Sequence, residues 1–250
     1  MHNEEIFYIN DATFLSKDTS NHILDLTLKH HPNFGKEKLH SFEKPVIMIA
    51  GFGYNGAKFE TLLTLDRYFR MHDIKISGIT YNQLGLLFDY YTFSWTKNIV
   101  FPNIVYEIND FFYKILSKDT SDLVILNLPG SMNQMSAENS FQFGMLHQAY
   151  LKAVSVDICI LALNPSVTID SVEKQVQILK LNGVGAIAFT VSPISYDSDS
   201  IHQNLKYFSV DDNKLVTYIK SLQEKYPYPV VRVTELEKDQ LGEYILTSLL

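Results

Sequence analysis

Apolar positions along this chain fall into two kinds of run that alternate. Short, nearly unbroken apolar stretches cover 45–50, 74–80, 122–128 (DLVILNL), 157–163 (DICILAL), 186–191 (AIAFTV) and 229–233. Such runs show no polar face, which predicts strands buried on both sides. Between them lie segments with a helical period. One spans 58–71, with Phe59, Leu62, Leu63, Leu65 and Phe69 on one stripe, and others span 104–116, 141–154, 166–181, 211–226 and 237–249. Strands alternating with helices predict an α/β fold: three layers, α/β/α, around a mostly parallel sheet. Turn residues punctuate the pattern at Pro129-Gly130, Asn164-Pro165 and Ser192-Pro193. Ser166 or Thr168 is the expected N-cap of the helix that Gly183 and Gly185 close.

The first 44 residues break this regularity. A short strand over 6–9 and a helix or strand over 20–29, where both periods mix, precede a loop containing His30, His31, Pro32 and Gly35. The chain contains no internal repeat and no long linker. It is therefore divided into an N-terminal arm, 1–44, and one α/β domain, 45–250, a size that suits a single large core.

Composition narrows the function classes. The net charge of −7 argues against a nucleic-acid partner, which selects for a basic face. No apolar run approaches membrane-spanning length, and the start MHNEEIFYIN is acidic where a signal peptide is basic, so a cytoplasmic protein without a membrane partner is expected. The single cysteine, Cys159, sits in an apolar run and is read as core. His22, His30, His31 and His40 are too loosely spaced for a metal site and are read as solvated loop residues, so no metal is expected. Phe88, Tyr90, Tyr91, Phe93 and Trp95 are read as a satellite hydrophobic cluster, with a ligand- or protein-contact surface as the alternative.

Candidate chemistry collects where ligands of open parallel sheets bind, beyond the carboxyl ends of the strands. Four such ends carry Gly51, Gly53, Gly56 and Lys58; then 127–131 (NLPGS), with Pro129, Gly130 and Ser131; then 164–168 (NPSVT); then 190–195 (TVSPIS), with Thr190 and Pro193. The first of these follows the phosphate-loop pattern G-x-x-x-x-G-K-[ST] incompletely. Gly51 and Gly56 have the right spacing, but Ala57 places Lys58 one residue late, and Phe59 stands where a magnesium-binding hydroxyl belongs. Asn127 stands where an aspartate near magnesium is expected. Three readings stay open on these residues: nucleotide or anion binding, active hydrolysis, and glycines that serve only a tight strand-to-helix turn. Asp122 and Asp157 are read as strand-start residues. His147 is read as a satisfied helix histidine, with acid–base chemistry as the alternative.

Two resemblances add to this. The run 122–195, with its strand ending in LPG and its later strand GAIAFTVSPIS, resembles the deviant-loop ATPases of cell-division-site selection and plasmid partition. That resemblance implies a degenerate phosphate-loop fold, a base pocket bordered by residues 190–193, ATP or GTP as ligand, and a homodimer. The stretch KPVIMIAGFGYNGAKFET, with SDLVILNLPGSMNQ, FQFGMLHQAY and VSVDICILAL, is similar to a clostridial family of peptide-maturation proteins found beside radical S-adenosylmethionine enzymes. Lys58-Phe59-Glu60, Pro129-Gly130-Ser131 and Phe143-Gly144 carry it. It implies an accessory protein in the maturation of a ribosomally made peptide natural product, with the precursor peptide or the radical enzyme as partner. A non-catalytic scaffold and an active nucleotide hydrolase are the alternatives.

Overall fold

The computed structural model describes residues 38–52, 57–93, 101–133, 144–196, 206–233 and 238–249. Readings made on the arm before residue 38, on Gly53 and Gly56, on Trp95 and on Phe143 lie outside the described residues.

The apolar runs are strands, and together they form one parallel sheet. They are β1 (Val46–Gly51), β2 (Ile76–Thr80), β3 (Tyr91–Thr92), β4 (Leu123–Asn127), β5 (Ile158–Leu163) and β6 (Ala186–Val191). Two later strands, β7 (Ile194–Tyr196) and β8 (Tyr207–Ser209), make a separate antiparallel ribbon, and β9 (Val230–Arg232) rejoins the sheet. The seven-stranded order is β3-β2-β4-β1-β5-β6-β9, with every pairing parallel. β1 lies at the centre, and the chain builds first to one side of it and then to the other. That reversal opens a crevice at the carboxyl end of β1.

Pleating sorts each strand's apolar residues onto two faces. Ile47 and Ile49 of β1, with Ile158 and Ile160 of β5, face α1 (Lys58–Met71) and α6 (Lys238–Leu249), which supply Leu62, Leu65, Phe69, Leu241 and Ile245. Val46, Met48 and Ala50, with Cys159 and Leu161, face the other layer. That layer comprises α2 (Phe101–Leu116), α3 (Met145–Ala153), α4 (Ile169–Leu181) and α5 (Asp212–Lys225). Each fully buried Leu or Phe on these faces contributes about 1.5–3 kcal/mol relative to exposure. The two cores hold the sheet rigid behind its carboxyl-end loops.

Local details follow the sequence with some exceptions. Thr168, not Ser166, caps α4, its Oγ1 accepting from the Ser171 N–H at 3.2 Å. Asp157 and Asp122 are structural, accepting from the N–H groups of Val46 and Lys75, each at 2.8 Å. Cys159 is buried, and burial pushes its thiol pKa up. The aromatic stretch divides. Tyr90 and Phe93 are core, whereas Phe88 stays exposed on a 3-10 turn, Gln83–Phe88, stacked on Tyr90 at 5.8 Å. His40 is not simply solvated: its ring lies flat on Tyr113 at 3.8 Å, with Nε2 3.5 Å from Asp110. Among the described residues no group of three or more His, Cys, Asp or Glu side chains is placed to hold a metal. No helix among them is long and apolar enough to cross a membrane. The β7–β8 ribbon is not legible from the apolar pattern, since its three-residue strands are too short to show a period.

Candidate functional site

The site is built where β1 turns into α1. Ala57 takes a left-handed conformation, φ 51°, and its carbonyl accepts the Thr61 N–H at 2.8 Å. The extra residue that places Lys58 late in the pattern is thereby absorbed ahead of the helix, and Lys58 is the first residue of α1. At that position its side chain turns inward along Gly51. A Cβ on Gly51 would come within 3.4 Å of Lys58 Cδ and within 2.6 Å of the Ala162 carbonyl oxygen. It is the close approach of the β5 backbone that requires glycine here, while the lysine stem would lie in ordinary contact.

Lys58 is only 2% exposed. Its ammonium donates to the Gly130 carbonyl at 2.6 Å and lies 5.6 Å from the Tyr81 ring centroid. Neither partner is a carboxylate. Desolvation lowers its pKa to about 7. Gly130 and Ser131, both buried, belong to the turn that follows β4, and the Met132 N–H in that turn bonds the Gly51 carbonyl at 2.9 Å. Pro129 is buried one residue earlier. The structure thus brings Gly51, Lys58, Pro129, Gly130 and Ser131 together.

The turn is also held from its far side. Gly144, φ +73°, precedes α3 and lies so close to Met132 that an added Cβ would sit 2.3 Å from its carbonyl oxygen. The positive φ at Gly144 explains why α3 starts at Met145 rather than at 141. His147, the third residue of α3, is buried, and neither ring nitrogen has a partner among the described residues. The described residues thus supply none of the hydrogen bonds that a satisfied helix histidine would make. Burial, and then the neighbouring Lys58 charge, hold its pKa well below the usual histidine value.

A layer of buried polar groups continues along the strand ends. Asn127 donates to Thr80 Oγ1 at 3.2 Å, while its Oδ1 has no partner among the described residues. Thr190 shares a hydrogen bond with Thr61 at 3.1 Å, so Thr61 is turned into the core and is not offered to a ligand. Asn164 Oδ1 accepts from Ser195 Oγ at 2.9 Å and from the Ser166 N–H at 3.0 Å. The Pro193 carbonyl accepts the N–H of Val210, the residue that follows β8. Gln175, which bonds Asn133, is a residue the sequence reading passed over. Its signal is there: a polar side chain on the stripe of Val172, Val176 and Leu179.

The magnesium position fails a chemical test. Phe59 packs edge-on against Phe88 at 6.2 Å, and Glu60 points to solvent. With Thr61 committed to Thr190, the first turn of α1 presents no oxygen ligand to the turn at Lys58, and the residues do not fit a protein-held magnesium.

No protein-family model matches the chain, and no curated protein does. Solved structures do resemble it. A DUF1611 family protein from Anabaena variabilis superposes with a TM-score of 0.55 at 10% identity, over 84% of this chain and 61% of that one. This chain therefore spans less than two thirds of that protein. Cobyrinic acid a,c-diamide synthase from Mycobacterium smegmatis, solved with bound ADP and magnesium, superposes with a TM-score of 0.50 at 11% identity, over 81% of this chain and 94% of that one. At such identities the likeness is one of fold: the α/β architecture of P-loop NTPase-like proteins.

Proposed function

We propose that this chain binds a nucleotide, ATP or GTP, or another phosphate-bearing anion at the turn between β1 and α1, without efficient hydrolysis. One observation carries the reading: Lys58 is buried at the first position of α1, and its ammonium faces a carbonyl rather than a carboxylate. A desolvated ammonium without a counter-charge is costly, and an anion arriving at a helix N-terminus relieves that cost. The synthase of like fold was solved with ADP, which fits this reading. Lys58 would neutralise phosphate charge. Gly51 and Gly130 would let backbone approach it, with Gly53 and Gly56 completing the loop. Thr190 and Pro193 are the candidate border of a base pocket. Calorimetric titration with ATP and GTP should show saturable binding with little dependence on magnesium, and phosphate release should stay at background. Absence of heat with both nucleotides, at any magnesium concentration, overturns the binding reading.

Within a cell, we propose on the resemblance to peptide-maturation proteins an accessory role in the maturation of a ribosomally made peptide, with the precursor peptide or a radical enzyme as partner. One structural observation favours a scaffold as second reading. Leu84, Leu87 and Phe88 on the 3-10 turn are exposed, with Leu87 78% accessible. Apolar side chains grouped in this way suit a protein contact. Capture of the precursor peptide by immobilised protein should weaken in Leu87→Asp. Equal capture by both forms removes this turn as the docking face.

A further inference from the structure

The buried side chain that the nucleotide reading leaves unused is His147. It lies on α3, a nine-residue helix whose N-cap, Gly144, provides no side-chain hydrogen bond to the first turn. The Lys58 charge acts on the His147 ring, and His147 stands three residues after Gly144 on α3. Lys58 donates to Gly130, and Gly144 presses on Met132 two residues further along. His147 is 1% exposed, and both its nitrogens lack partners among the described residues. A buried imidazole normally has at least one bond, since an unmade one carries a full desolvation penalty. Two nitrogens without partners among the described residues, a helix start without a side-chain cap and an ammonium bonded to a carbonyl thus belong to α3 and to the turn that Gly144 abuts.

We propose that His147 is the second cationic arm of this site: a phosphate-bearing ligand docks over the turn at 130–132, between the Lys58 ammonium and the His147 ring, and protons are taken up from solvent as it binds. The inference rests on the anion-binding reading above and assigns it a further residue and a proton linkage.

The electrostatics agree with the geometry. Without ligand, burial holds both groups toward their neutral forms, and the charge on Lys58 adds to that effect on His147. No carboxylate acts on His147 among the described groups. Glu107 is buried on the neighbouring α2, and Lys152 of α3 is exposed. An anion placed between the two bases reverses the balance, because an opposite charge favours the protonated form of each. Above about pH 7.5 a terminal phosphate has already lost its last proton, its second pKa being about 6, so uptake there belongs to the protein.

The test is calorimetry of ATP and GTP binding at pH 7.5–8 in buffers of different ionisation enthalpy. Wild type should show net proton uptake, and His147→Gln, which cannot become a cation, should show less. The wild-type protein alone supplies a second readout, since its affinity should fall as pH rises from 7.5 to 9. Binding without proton uptake, or uptake that is unchanged in a folded His147→Gln protein, overturns this assignment and leaves the anion-binding reading standing. Failure of wild type to bind either probe overturns both.

Discussion

Lys58→Met should sharply weaken phosphate-ligand binding and, at the same time, stabilise the protein at neutral pH. The two effects have one origin. Lys58 has a folded pKa of about 7 against an ordinary 10.5. Between those values the unfolded chain binds more protons than the folded one, so wild-type stability should rise with pH across about 7 to 10.5. Below pH 7 the ammonium is charged in both states and the burial penalty is fully present. Above pH 10.5 it is neutral in both and the penalty is gone. The span corresponds to about 3–5 kcal/mol for a group this deeply buried. Methionine matches the stem without the charge, so urea unfolding of Lys58→Met should lose the upward slope and lie above wild type at pH 7. Binding should weaken by about 100-fold or more, the loss of a charge-assisted contact in a desolvated site. Parallel stability–pH curves for the two proteins would contradict the burial of an uncompensated charge.

Gly144→Ala is expected to have the second-largest effect. Alanine at φ +73° is strained, and its methyl would lie 2.3 Å from the Met132 carbonyl oxygen, a backbone atom that cannot swing aside. Gly183 is the built-in comparison. Its φ is +82°, yet nothing lies within 4 Å of an added Cβ. Gly183→Ala should therefore cost about 1–2 kcal/mol, the left-handed strain alone. Gly144→Ala should cost about 2–4 kcal/mol, because strain and overpacking add. Chemical denaturation of the two variants measures the difference. Equal losses would mean that Gly144 does not clamp the turn. Since that turn carries the Gly130 carbonyl to which Lys58 donates, Gly144→Ala should also weaken ligand binding, whereas Gly183→Ala should not.

Much of the architecture was legible before any coordinates. Runs such as DLVILNL and DICILAL have no polar face, and only a sheet covered on both sides can accommodate them. The strands at 122–128 and 157–163 are therefore found within a residue or so as β4 and β5. Helix starts were less legible where backbone conformation decides them. Nothing in the composition of 141–154 announces that Gly144 adopts a positive φ and delays α3 to Met145. The 3-10 turn at Gln83–Phe88 and the β7–β8 ribbon are too short for periodicity to register.

The site divides in the same way. Counting along Pro45 to Thr61 marks Lys58 as one residue late and Phe59 as no ligand for magnesium, and both facts belong to the sequence alone. What folding decides is the consequence. Ala57 absorbs the extra residue, so Lys58 opens α1 after all and turns inward across Gly51 onto the Gly130 carbonyl. Thr61, adjacent to the missing hydroxyl in sequence, is instead spent on Thr190, 129 residues away. His147 acquires its significance only when α3 brings it to the turn that Lys58 already holds. Local pattern determines which segments become strands and helices, because hydrophobic periodicity is a property of neighbours in the chain. Burial of a charge or of an unmet imidazole depends on atoms remote in sequence, and only the tertiary structure brings those together.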